Sequence, residues 1–453
     1  MLQRKAWDAL LAWKECKTTQ ALLVDGARQV GKTYLVREFA HRNYTHFAEL
    51  NFLENATAAQ AVSSATSADE AFTRISAFAD GQMVPGSTLV FLDEVQECKE
   101  VRTVIKFLVE RYPEYDWVLS GSLLGIDLNN VKSIPVGYLD SLTMHPLDFE
   151  EFCWACGLSR QVIESARAAF EATAPVDEFV HKRLLSLFHE YLVVGGMPAA
   201  VDVYAQSHNL QAVRRVQRNI MARYREDISK YADGRAVAVR RIFDLVPSEL
   251  SQQNKRFILS DAVGKSSFDR HENDFLWLVD AGVALPTYNV DEPRPPLALS
   301  RKSSLFKLFL CDIGLLACAC GMDVTRDMLA GRRDVLYGAI YENAVAQELA
   351  AHGFPLYYFK SKAAGELDFV VEHPAMTVLP IEVKSGKTYK RHSALSRVLA
   401  TENYGIERGL VLCEGNVECA GKVVYAPIYC VAFLESGSED YEFFLVESPK
   451  FTE

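Results

Sequence analysis

The sequence predicts an α/β protein built on a parallel sheet with helices on both faces, and three observations carry that prediction. A compact apolar run, Ala21–Val24, feeds directly into a glycine-flanked loop, and helix-compatible spacing resumes at Tyr34–Ala40. Two further apolar runs, Ser87–Asp93 and Trp117–Ser120, end in polar residues. Strand and helix patterns alternate from Leu22 to about Leu147. Short unbroken apolar strands separated by helical stretches belong to sheets covered on both sides.

The loop after the first strand reads Gly-x-x-x-x-Gly-Lys-Thr in the strand–loop–helix setting that gives this pattern meaning. Gly26 and Gly31 let the backbone curl so that successive N–H groups cradle phosphates. Gly26, Ala27, Arg28, Gln29, Val30, Gly31, Lys32 and Thr33 are therefore expected to hold ATP. Lys32 places a point charge on the β- and γ-phosphates, and the Thr33 hydroxyl is a ligand for Mg²⁺. The helix beginning near Gly31 adds its N-terminal dipole.

The next strand, Val90-Phe-Leu-Asp93-Glu94, supplies two acids at its end. Asp93 is expected on the Mg²⁺ shell and Glu94 as the general base that polarises water. Ser120, opening Ser120-Gly121-Ser122 after the following strand, stands where a polar sensor of the γ-phosphate is expected; a plain Ser-Gly turn is the alternative. Together these residues predict a hydrolytic site. The arginines at 214, 215, 218, 223 and 225 read as a solvated helix face, so none is assigned as an arginine finger.

At 453 residues the chain exceeds what one core supports, so two or three domains are expected. A formal net charge of −11 excludes a protein that coats nucleic acid by bulk charge, though it leaves room for a local basic groove. No apolar run reaches the length of a membrane span, and the N-terminus lacks the apolar centre of a signal peptide. The ten cysteines show no framework spacing and suit the reducing cytoplasm. Cys153-x-x-Cys156 lacks a second Cys/His pair and reads as helix coincidence.

Four units follow along the chain: an ATPase domain at 1–150, a helical linker or lid at 151–234, a winged-helix-like domain at 235–330 and an α/β domain at 331–453. In the second, Phe149–Cys156, Val162–Ala174 and Val180–Leu192 carry helical spacing, and Gly195-Gly196-Met197-Pro198 is a turn opening a further helix. In the third, helices at Val237–Leu250 and Ser267–Asp280 precede a two-stranded ribbon, Val283–Val290 and Ser304–Cys311. Ser267–Asp280 would then be a recognition helix. Basic residues there (Arg235, Arg240, Arg241, Lys255, Arg256, Lys265, Arg270) are offset by acids, which leaves DNA binding and packing both open.

Gly26–Thr33, Leu92-Asp-Glu-Val-Gln96, Leu119-Ser-Gly-Ser122 and His145-Pro-Leu-Asp-Phe-Glu-Glu-Phe152 resemble the prokaryotic AAA-type ATPases with a C-terminal domain of unknown function. The resemblance continues through Gly195–Pro198 and Tyr341-Glu-Asn-Ala-Val-Ala-Gln-Glu-Leu349, nearly the whole chain. Members often carry Gly-Arg before the Pro-Leu-x-Phe element, where this chain has Gly137-Tyr138. In the last domain Asp368 lies on one strand and Glu382-x-Lys384 on the next, which puts Glu382 and Lys384 on one face. Asp368 and Glu382 would share Mg²⁺ with Lys384 orienting water, Glu342 completing the shell and Glu366 as a substitute for Asp368. This pattern resembles the restriction-endonuclease-like superfamily, whose fold the resemblance implies for the C-terminal domain.

The leading expectation is a cytoplasmic ATPase that couples hydrolysis to nucleic-acid binding or processing, with DNA as partner. The alternative is a STAND-like regulatory switch with a protein partner and an inert nuclease-like domain. A nuclease of defence or toxin type, gated by ATP, is a third. The resemblance also admits a homo-oligomer, in which a neighbouring subunit completes the ATP site, and no reading calls for a membrane.

Overall fold

The computed structural model describes residues 2–436 apart from 17–19, 99, 122–136, 233, 253–256, 258–267, 330–334, 374–376 and 387. Five strands form the first sheet: β1 (Ala21–Asp25), β2 (His46–Asn51), β3 (Thr88–Asp93), β4 (Asp116–Ser120) and β5 (Leu139–Thr143). They run parallel in the order β2-β3-β4-β1-β5. The interior strand β3 is buried throughout. Edge strand β2 is buried on one side only and edge strand β5 has no fully buried residue, so both escape a pattern tuned to unbroken apolar runs. Leu22, Val24, Phe39 and Val118 pack one face; Leu23, Leu92, Ile105 and Trp117 pack the other.

β4 lies between β1 and β3, with Val24 opposite Ser120 and Leu92 opposite Leu119. The C-terminal ends of three strands therefore meet, which is where open α/β sheets bind ligands. Tyr138 is at the other end of this sheet: its carbonyl accepts from Ala21 N, and Leu139 pairs with Ala21. The position that is often arginine in the resembling family thus lies a full strand away from the phosphate loop.

Helices Phe149–Ala155, Arg160–Glu171, Glu178–Val194, Pro198–Ser207, Leu210–Tyr231 and Ala236–Ser251 follow. Side-chain caps start four of them, at Asp148, Ser159, Asp177 and Asn209, and Pro198 opens a fifth. Asp148 and Glu151 form a reciprocal capping box.

The second sheet has eight strands: β6 (Ala284–Val290), β7 (Arg301–Leu310), β8 (Tyr357–Ser361), β9 (Gly365–His373), β10 (Thr377–Val383), β11 (Gly409–Cys413), β12 (Glu418–Ala420) and β13 (Val423–Pro427). Their order is β12-β13-β11-β10-β9-β8-β6-β7. The ribbon expected of the winged-helix-like unit is part of this sheet. The ribbon β6–β7 exists, but Tyr288–Val290 pairs in parallel with Tyr357–Phe359, so it extends the C-terminal sheet instead of standing free as a wing. The free edge of β6 satisfies its backbone groups on β8, and Val290 and Phe306 are buried.

The expected recognition helix runs Phe268–Asp280. Among its described side chains only Asn273 is exposed, while Phe275 stacks on Phe306 at 4.5 Å. Its described part, from residue 273 on, packs against a core. Much of the remaining unit, including Lys255, Arg256 and Lys265, lies outside the described residues. One hydrophobic core runs from Leu147 through the helices and one face of the second sheet to Leu434. Helix Ser393–Ala400 covers the other face.

Candidate ATPase site and C-terminal carboxylate centre

The loop after β1 adopts the curled backbone its glycines suggest. Gly26 and Gly31 have φ of +125° and +95°, and Gln29 also lies in the left-handed region at +68°. A Cβ on Gly26 would sit 2.1 Å from Met144 O, so glycine is required there on two counts. Lys32 Nζ donates to Gly26 O at 2.8 Å and Ala27 O at 2.9 Å. Burial pushes this ammonium down to about 8, against the charges of Glu94, Asp93 and Asp25 that hold it up.

Asp93 is the hub of the site. Thr33 Oγ1 and Asn51 Nδ2 donate to its Oδ2 at 3.0 and 3.1 Å. Ser120 Oγ and Glu94 N donate to Oδ1. Burial raises the Asp93 carboxyl, opposed by its bonds to Ser120 and Thr33. Glu94 follows, half-buried, with φ +54°, and its carboxylate accepts from Gln96 Nε2. A left-handed glutamate at a strand end is a costly backbone state of the kind found at working sites. Asn51, at the end of the unread β2, escaped the sequence reading. Ser122 lies outside the described residues.

This donor set suits Mg²⁺, which takes few protein oxygens and leaves positions for water and phosphate. The Thr33 hydroxyl and the Asp93 carboxylate already touch, so both would hold the ion.

Two struts that leave no local sequence pattern support the loop. Arg4 donates to Val30 O at 2.9 Å, to His145 O at 2.6 Å and to Glu151 at 3.1 Å. Arg28 forms an ion pair with Asp227, and Tyr224 donates to Arg28 O at 3.0 Å. Helix Leu210–Tyr231 therefore touches the phosphate loop directly. Its Tyr231 also reaches Glu97 at 3.0 Å, on the turn after Glu94. Of the five arginines read as a solvated face, Arg215, Arg218 and Arg223 are exposed. Arg214 and Arg225 are pinned, to Cys318 O and to Asp244.

The capping box after His145 joins the C-terminal helix Val335–Ala351. Glu348 Oε1 accepts from Phe149 N at 2.9 Å, and His352 Nε2 lies 3.2 Å from Asp148 Oδ2. Burial and the Asp148 charge push Glu348 up to about 8. A carboxyl raised above its ordinary value of 4.5 holds a proton in the folded chain that the unfolded chain has lost. Its contribution therefore falls as pH rises from about 4.5 to 8, by at most about 1.4 kcal/mol per pH unit. Glu348→Gln is expected to match wild type at pH 5 and to gain on it steadily toward pH 8 in urea unfolding. Parallel stability curves would mean that Glu348 carries no buried proton.

At the C-terminal centre the residues expected from sequence are close but differently engaged. Asp368, on β9, accepts from Val383 N at 2.8 Å. Lys384 Nζ donates to Glu382 Oε1 at 2.7 Å. Glu342, on helix Val335–Ala351, faces Lys307 at 3.6 Å, and Glu366 binds both Lys307 (2.8 Å) and Lys360 (2.6 Å). Lys307 was not anticipated, although a lysine inside the apolar run Phe306–Leu310 is itself a signal of a buried partner.

Three family models match successive parts of the chain: an AAA domain over residues 18–153, a domain of unknown function (DUF8612) over 185–326 and a domain of unknown function (DUF4143) over 337–431. The chain carries an AAA domain and a C-terminal domain of unknown function. Similar solved structures include a Walker-type ATPase of Pyrococcus abyssi at 13% identity, covering 71% of this chain and 96% of that one with TM-score 0.45. The Drosophila ORC bound to DNA matches at 12% identity, over 70% of this chain and 86% of that one, with TM-score 0.27. Cdc6p from Pyrobaculum aerophilum matches at 11% identity, over 69% and 87%, with TM-score 0.23. No curated protein matches the chain. No described helix is long and apolar enough to cross a membrane.

Proposed function

We propose that this chain is a Mg²⁺-dependent ATPase acting as a regulatory switch, its nucleotide state passed from the phosphate loop into the helices behind it. The observation that carries the hydrolytic reading is the Asp93 carboxylate held by Thr33, Asn51 and Ser120 with Glu94 beside it. In this reading Lys32 and the loop N–H groups hold the β- and γ-phosphates, and Thr33 and Asp93 hold Mg²⁺. The ion supplies neutralisation of phosphate charge when bound. Glu94 takes a proton from water as its oxygen bonds to the γ-phosphorus; the bond from that phosphorus to the bridging oxygen breaks, and ADP leaves. Ser120 keeps Asp93 oriented.

The switch reading is favoured by the contacts of helix Leu210–Tyr231 with Arg28 on the loop after β1 and Glu97 on the turn after Glu94. The described part of Phe268–Asp280 offers no reading face to DNA, which weakens the nucleic-acid alternative. Turnover of ATP with Mg²⁺, with and without duplex, branched and single-stranded DNA, tests both. Turnover that EDTA abolishes and DNA leaves unchanged is expected, together with a protein captured by Glu94→Gln in ATP and released by wild type. DNA-stimulated turnover with no captured protein would overturn the switch reading in favour of nucleic acid.

A further inference from the structure

A lysine from outside the Asp-Glu-x-Lys pattern stands among the carboxylates of the C-terminal centre. Lys307 lies on β7, with β6 and β8 between it and β9. Its cross-strand neighbour on β6 is the small, buried Thr287, which leaves room for the side chain to lie across the sheet. The ammonium is 5.1 Å from the centre of the Tyr358 ring on β8 and 2.8 Å from Glu366 Oε1 on β9. From the helix above, Glu342 Oε2 faces it at 3.6 Å. Lys307 is 1% exposed, and an ammonium so buried persists only against carboxylates. Burial alone would neutralise it, but Glu342, Glu366 and Asp368 keep it charged.

The same groups fit Mg²⁺ poorly. That ion demands near-octahedral oxygens at about 2.1 Å, whereas no three acidic, histidine or cysteine side chains among the described residues are grouped to hold a metal. Glu382 has one oxygen on Lys384, and its Oε2 is buried without a hydrogen bond. One open oxygen is not a chelate. Asp368 is tied to Val383 N.

We propose that the Lys307 ammonium is the resident cation of this centre, so that Glu342, Glu366 and Asp368 hold a lysine in place of a divalent ion. The centre then works as an ionic rivet between the second sheet and helix Val335–Ala351, whose far end carries Glu348 to the ATPase domain. This goes beyond the ATPase reading and concerns a separate site, so ATP turnover measured alongside is unaffected by its outcome.

The test uses the full chain, stripped with EDTA and free of nucleotide, titrated with Mn²⁺ by calorimetry. Wild type and Asp368→Asn are expected to give the same isotherm, since any weak binding at Thr33 and Asp93 is common to both. Lys307→Met deprives the carboxylates of their cation, and saturating Mn²⁺ is expected to raise its Tm by roughly 5 °C. Adding Asp368→Asn should erase that rise. If Lys307→Met does not fold, the isotherms decide alone. A Mn²⁺ site in wild type that Asp368→Asn removes would overturn the proposal. So would Mn²⁺-dependent cleavage of labelled duplex DNA that Lys384→Ala abolishes, or a folded Lys307→Met whose Tm ignores Mn²⁺.

Discussion

Glu94→Gln is expected to lower ATP turnover by about 10²–10⁴-fold, the range a positioned general base contributes, while the Kd for ATP moves less than about threefold. The change is nearly isosteric and leaves Lys32, Thr33 and the loop N–H groups intact, so ground-state binding persists. Only the group that accepts the proton is lost. Lys32→Ala should behave oppositely in binding, because its charge meets the phosphates before any bond breaks. A nucleotide-binding assay beside a phosphate-release assay separates the two. Equal losses of affinity in both variants would mean that Glu94 holds the nucleotide, and the general base would have to be sought elsewhere around Asp93.

What was legible in the sequence follows from how local each signal is. The phosphate loop is eight contiguous residues after a buried strand, and the Asp93–Glu94 pair closes another such strand, so both stand out without knowledge of the fold. That Ser120 meets Asp93 depends on β4 inserting between β1 and β3, which no local pattern encodes. Arg4 reaches Glu151 across 147 residues, and Arg28 reaches Asp227 across 199; each looks like a surface charge until the helices pack. The ribbon Val283–Val290 and Ser304–Cys311 was legible as two strands, but its partner β8 begins only at Tyr357, so its membership of the second sheet was not. The polar residues within Tyr341–Leu349 resembled a family motif without a physical reason. The fold supplies one for each of three. Asn343 bonds Leu310 N and O, Gln347 accepts from Ile313 N, and Glu348 accepts from Phe149 N.

Gly196→Ala separates two explanations of the Gly-Gly-Met-Pro element. As a turn glycine it would lose little, since Gly196 is absent from the left-handed positions and alanine is tolerated at ordinary φ. The packing says otherwise. A Cβ there would lie 2.0 Å from Leu147 O and 2.8 Å from Leu147 N, and both are backbone atoms that no rotamer change can clear. The same glycine accepts from Leu147 N at 2.7 Å and donates to Asp312 Oδ2 at 2.6 Å. Asp312 is fully buried, and burial pushes its carboxyl up to about 6 against the backbone donors that surround it. Separating Gly196 from Leu147 would thus strip a donor from a buried acid as well as open the joint leading to Asp148. A loss above about 4 kcal/mol is expected, in the class of buried backbone clashes with a broken polar network, read as a fall in Tm of roughly 10 °C or as insoluble protein. Gly386→Ala, with open space where its Cβ would go, should stay within about 0.5 kcal/mol of wild type. A Gly196→Ala protein as stable as that control would mean that the ATPase domain and the helices behind it meet elsewhere.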